Sequence, residues 1–193
     1  MTDTVRGNPA REVCEVRVRV RGTDQAAGDW SPPLRIETGL LTPTDWTARA
    51  IAPHEPHRPE RSDADRRPPL LRREFTVAAD VERARLYVTA HGLYEIEING
   101  RRVGDHALAP GWTSYHHRLR YQTHDVTDHL RAGANAIGAW LADGWYGGRL
   151  GFGGGHADPF GDRVALLAQL EIVHRDGTVT VVGTDTSWRA GQG

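Results

Sequence analysis

A chain of 193 residues holds one large domain, or one domain and part of another, since domains commonly run to roughly 100–200 residues. Its 24 basic and 25 acidic side chains nearly cancel, so no net field gathers nucleic acid or an anionic membrane, and no apolar run reaches the ~18 residues of a membrane span. The lone Cys14 excludes an internal disulfide and a thiolate metal cluster, and the opening MTDTVRGN lacks a secretory apolar segment, which makes the cytoplasm the expected location.

The first element is a strand over residues 13–21, where Val13, Val16, Val18 and Val20 alternate with charged neighbours after a slip at Cys14-Glu15. A loop through Asp29-Trp30-Ser31-Pro32-Pro33 leads to a second short strand, Leu34-Arg35-Ile36-Glu37. Residues 40–53 read as a connector followed by a strand that buries Trp46, Ala48 and Ile51. Residues 54–69, HEPHRPERSDADRRPP, carry no large apolar side chain and cannot offset the entropy of ordering, so an exposed loop is expected there. Its arginines alternate with Glu55, Glu60, Asp63 and Asp65, which argues against a phosphate grip.

From Leu70 the period-2 pattern returns. Strands are predicted over 71–77, 84–90 and 94–98, the last with Tyr94, Ile96 and Ile98 on one face. Asn99-Gly100 supplies two residues that accept positive φ, the chemistry of a type I′ turn, and Arg101–Gly104 starts the return strand. Further strands are expected over 119–123 and 136–141, with a helical turn at 125–130 between them, capped by Asp125 or Thr127. Trp140, inside an apolar strand, reads as core. Residues 163–173 suit a helix by composition, yet Asp176-Gly177 and the β-branched run 178–182 follow, so a hairpin is preferred. About eight short strands separated by turn signals specify an all-β, antiparallel two-sheet sandwich of jelly-roll type. The glycine-rich run 151–155 lacks the lysine of a phosphate loop and reads as a sandwich loop.

One tetrapeptide carries binding chemistry. Asp143-Gly144-Trp145-Tyr146 offers aromatic rings for the apolar face of a sugar and a carboxylate for its hydroxyls; the competing reading has the rings covering the sandwich end and Asp143 capping a turn. Trp112 and Tyr115 face the same choice. His91, His116 and His117 have no nucleophile or carboxylate set beside them in sequence, and Asp158 and Asp162 lack a calcium-loop spacing, so no metal or other cofactor is expected.

The run Asn99-Gly100, Val103-Gly104, Leu108, Pro110-Gly111-Trp112-Thr113, Tyr115, Tyr121, Asp125-Val126-Thr127, Leu130, Gly133, Asn135 and Asp143-Gly144-Trp145-Tyr146-Gly148 resembles the N-terminal β-sandwich of bacterial α-L-rhamnosidases. More loosely, it is similar to the galactose-binding-like jelly rolls that precede other glycosidase barrels. Trp30-Ser31, Glu37-Thr38-Gly39 and Asp45-Trp46-Thr47-Ala48 look like the family's junctions after a fibronectin-like domain, and residues 183–189 resemble its late strand. The resemblance implies a partial fibronectin-type-III-like segment at 1–39, a connector and disordered loop at 40–69, and a sandwich at 70–193 cut short at its C-terminus. It places the acid and base of an inverting hydrolase on an (α/α)₆ barrel beyond Gly193, so it assigns no catalytic residue here. Trp112, Tyr115, Asp143, Trp145 and Tyr146 are then expected to touch carbohydrate or that barrel. A free-standing carbohydrate-binding module is the alternative.

Overall fold

The computed structural model describes residues 9–23, 26–54 and 67–192, and the chain packs as two units, Met1–Trp46 and Thr47–Gly193. Most of the Pro- and Arg-rich loop expected at 54–69 lies outside the described residues.

In the first unit β1 (Val13–Val16) pairs antiparallel with β2 (Leu34–Glu37), from Val13 opposite Glu37 to Val16 opposite Leu34. The strand expected to run to residue 21 stops at Val16. Continuing it would set Arg17 and Val18 against Pro33 and Pro32, which have no N–H to donate to a ladder. Val18 instead bonds Ser31 on both its backbone groups, and Val20 is left 83% exposed. A 3₁₀ turn at Pro43–Asp45 follows, in which the Asp45 carboxylate accepts the Leu41 and Thr42 backbone N–H groups at 3.0 and 2.7 Å.

The second unit is a two-sheet antiparallel sandwich. Its elements are β3 (Pro69–Val77), β4 (Val81–His91), β5 (Leu93–Ile98), β6 (Arg101–Arg102), β7 (Gln122–Asp125), β8 (Gly133–Ala142), a single helical turn α1 (Gly144–Gly147), β9 (Ala165–His174), β10 (Val179–Gly183) and β11 (Arg189–Gln192). One sheet runs β10-β9-β4-β7 and the other β11-β3-β8-β5-β6. Alternation fills the space between them: Leu86, Val88, Leu166, Leu170 and Ile172 from the first sheet meet Ile96, Ile98, Ile137 and Leu141 from the second, all essentially inaccessible. Asn99 and Gly100 adopt φ of 53° and 76°, as a type I′ turn demands, and only Arg101 and Arg102 pair on the return. The 163–173 ambiguity resolves as β9.

Three expectations are corrected. Residues 47–53 form no strand. Within them Ile51 makes one reciprocal backbone pair with Leu166 at 2.8 Å, and the segment is held by a side chain: Gln169, wholly buried on β9, accepts the Thr47 and Ala48 N–H groups at 2.7 and 3.1 Å. Thr184 adds a second tie, donating its hydroxyl to the Arg49 carbonyl at 2.6 Å. The strand expected at 119–123 lies at 122–125 instead, because Arg85 of β4 sits opposite Asp125 and closes a 2.7 Å ion pair with it. The helical turn therefore starts later, at Thr127–His129, with the Asp125 carboxylate accepting the Thr127 N–H at 3.1 Å. Finally, Trp140 is not core. Its neighbours Ala139 and Leu141 point inward, so Trp140 points out of the sandwich and is 50% exposed. Among the described residues no helix is long and apolar enough to cross a membrane.

Candidate functional site

The loops after β6 and β8 converge at one end of the sandwich. After β8 the chain makes its single helical turn, α1, in which the Asp143 carbonyl accepts the Gly147 N–H at 3.1 Å. Glycine permits this turn. At Gly144 φ is +53° and a Cβ would run into the Leu93 side chain, while at Gly161 a Cβ would occupy the place of the Tyr146 phenol. The turn thus seats Trp145 and Tyr146 side by side at the rim. The excursion then continues through a small hairpin closed by Leu150 and His156, whose N–H groups and carbonyls bond reciprocally at 3.0 and 2.8 Å; Phe152 stands at its tip, fully exposed among glycines of positive φ. The chain returns with the Asp158 and Phe160 N–H groups donating to the Gly147 and Tyr146 carbonyls.

The loop after β6 is fixed at its start by the Tyr94 N–H, which donates to the Ala109 carbonyl at 2.8 Å, and it brings Trp112 and Tyr115 to the same end. Trp112 stacks on Trp145 with centroids 6.0 Å apart and planes 12° from parallel. Tyr115 meets Tyr146 edge-on at 5.3 Å, and Tyr146 lies flat on His91 at 4.6 Å. Phe160 packs against Tyr115 at 5.0 Å and against His116 at 5.5 Å. Such stacked and edge-on pairs each add about 0.5–1.5 kcal/mol beyond the area they bury.

The four aromatic candidates therefore pair across the two loops, in two layers, and Asp143 stands at the start of α1. Tyr115 and Tyr146 belong to the inner one: Tyr115 is 8% exposed, and burial raises the pKa of both phenols, with the Asp162 charge adding to the effect on Tyr146. Burial lowers the pKa of His91. The Tyr115 hydroxyl is buried without a hydrogen-bond partner among the described residues. Trp112, 55% exposed, forms the outer layer with Trp145. Asp143 is half-buried at the helix start, and its side chain makes no cap hydrogen bond, so the capping role considered for it is not realised. Its Oδ1 lies against Gly147, as does Asp158 Oδ1. Sequence reasoning named neither Phe160 nor the stacking role of His91; Phe160 is 14 residues past Tyr146, and no local pattern links them. Among the described residues no three His, Cys, Asp or Glu side chains gather in a way that could hold a metal ion.

Residues 79–193 match the family model described as the alpha-L-rhamnosidase N-terminal domain. An alpha-L-rhamnosidase of Streptomyces avermitilis is 53% identical over 124 residues, covering 64% of this chain and 12% of the relative. One from Alteromonas sp. is 39% identical over 189 residues, covering 95% of this chain and 20% of the relative. The crystal structure of an Aspergillus terreus α-L-rhamnosidase superposes with a TM-score of 0.86 at 46% identity, over 96% of this chain and 21% of the other. The chain thus spans about a fifth or less of the length of these proteins.

Proposed function

The chain belongs to the α-L-rhamnosidase N-terminal domain family, and from that membership we propose that it is the non-catalytic front module of a glycoside hydrolase releasing terminal α-L-rhamnose with inversion. The observation that carries this reading is the share of the relatives that the chain occupies: a β-sandwich unit aligned with a fifth or less of enzymes whose remaining length is ample for a separate catalytic body. Inverting hydrolysis needs an acid and a base held roughly 6.5–9.5 Å apart across the bond to be cut. In this reading both belong to an (α/α)₆ barrel, and the sandwich packs against it through the end built from Trp112, Tyr115, Asp143, Trp145 and Tyr146. Supporting that surface are the exposed outer ring of Trp112 and a rigid inner layer that would hold the rim in place on docking.

A second reading, a carbohydrate-binding module, draws on the same exposed Trp112, since an indole half open to solvent offers a face for a sugar ring. Two measurements separate these. The isolated chain is expected to leave an aryl α-L-rhamnoside intact; turnover that survives purification overturns the non-catalytic assignment. In calorimetric titration with L-rhamnose, heat that disappears in both Trp112→Ala and Trp145→Ala favours the carbohydrate reading for this end, and heat indifferent to them favours packing against the barrel.

A further inference from the structure

A separate surface remains on the outer face of the five-stranded sheet. Trp140 lies on β8, the central strand, with β3 and β5 on either side, and register sets Leu70 and Glu95 opposite it on the same face. One pleat along, the row reads Arg189, Arg72, Gly138, Glu97, Arg102 across all five strands. Its centre is vacant: a Cβ at Gly138 would meet nothing within 4 Å except the Leu71 carbonyl at 3.7 Å. The next residue of β8 on this face is Ala136. The face is therefore a shallow trough with an indole standing at one end and polar side chains along both walls.

Each wall carries an ion pair of its own. Arg72 meets Glu74 at 2.7 Å, and Arg102 meets Glu95 at 3.2 Å. Counting Arg72, Arg102 and Arg189 against Glu74, Glu95 and Glu97, the face has no net charge, while its guanidinium donors and carboxylate acceptors are numerous. A charged partner finds no complementary field there, and a packed helix would have to bury six ionised groups. A neutral polyhydroxylated ring fits better: its apolar face covers the indole, and its hydroxyls both donate to Glu97 or Glu95 and accept from Arg72 or Arg102 without taking those charges fully out of water. We propose that this face, with Trp140 as platform and the Gly138 trough as cradle, is a binding site for a neutral pyranose unit, distinct from the aromatic end.

The test is an NMR titration of the whole chain with L-rhamnose, following the six indole N–H signals, with the Trp140 signal identified from its loss in Trp140→Ala. Saturable movement of that signal is expected, with affinity about tenfold weaker in Trp140→Ala by the remaining signals. Gly138→Val is expected to abolish binding while leaving the fold intact, because valine suits a central strand and its side chain points into open space. In Trp112→Ala the Trp140 signal should still move on titration, whatever that variant does at the aromatic end, so this face is read separately from that one. A Trp140 signal that stays still in the wild type, that still moves in Gly138→Val, or that stops moving in Trp112→Ala overturns the assignment. So does a dimer in sedimentation that Trp140→Ala dissolves, which would give the face to a second copy of the chain.

Discussion

His91 is a titratable member of the aromatic end, lying flat on Tyr146, which Tyr115 meets edge-on and whose pKa the Asp162 charge helps to raise. Burial disfavours its cationic form, so its folded pKa falls below the ordinary 6.5. Between that lowered value and 6.5 the unfolded chain binds the extra proton and the folded chain does not. The contribution of this group to stability is therefore complete above about pH 6.5, declines as the pH falls through that value, and levels off below the folded pKa. His124, also lowered by burial and by the nearby His106, acts in the same direction. Replacing His91 by Phe keeps a ring on Tyr146 and removes the proton. Melting temperatures from pH 8 to 5 should then decline less steeply in His91→Phe than in the wild type, and parallel curves would mean that the stack tolerates imidazolium. Residue types in the sequence disclosed the five aromatic and acidic candidates because they cluster in two short segments. The sequence did not disclose the order of their layers, which depends on Phe160 returning from a loop that glycine makes unpredictable.

At the level of elements, glycines with the same backbone sign have different reasons for being there. Gly100 has φ +76° with nothing near its missing Cβ, whereas Gly92, at +109° between β4 and β5, would push a Cβ into the Ala142 carbonyl and against Val164. Gly100→Ala should cost about 1 kcal/mol, from backbone strain alone. Gly92→Ala should cost about 3 kcal/mol, because a neighbouring strand cannot move aside cheaply. Urea midpoints compare the two directly, and equal losses would deny that contact matters at Gly92. Turn chemistry was the clearest element-scale signal: Asn99-Gly100 and Asp176-Gly177 both close hairpins as their composition requires. Trp140 was misread although its signal was present, since inward Ile137, Ala139 and Leu141 force the intervening residue outward. Hydrophobicity was weighed there in place of parity. The turn α1 left no such trace, because Gly-Trp-Tyr-Gly is a poor helix former held by loop packing.

For the molecule as a whole, period-2 alternation and turn spacing were enough to specify two antiparallel sheets, since each inward row must find another. The sequence concealed what covers β9. That strand is buried over most of its length on both faces, and part of the cover is the irregular segment from Thr47 to Ile51, tied to Gln169 and Thr184 by hydrogen bonds that leave no hydrophobic rhythm. Its two-sided burial is also why residues 163–173 suit a helix by composition, although the turn that follows favours a strand.

Phe152 gives the chain a natural scissile point. Chymotrypsin, which cuts after aromatic residues, should nick the native protein first at this bare ring on its glycine hairpin. The C-terminal piece would contain β9, zipped along β4 and carrying β10 on its other edge, and β11, zipped along β3, so it is sewn into both sheets at once. The nicked protein should migrate as one particle in native electrophoresis and as two in detergent. The same pair of polypeptides, expressed apart, would then reassemble as a split reporter whose halves find each other through edge and inter-strand complementarity.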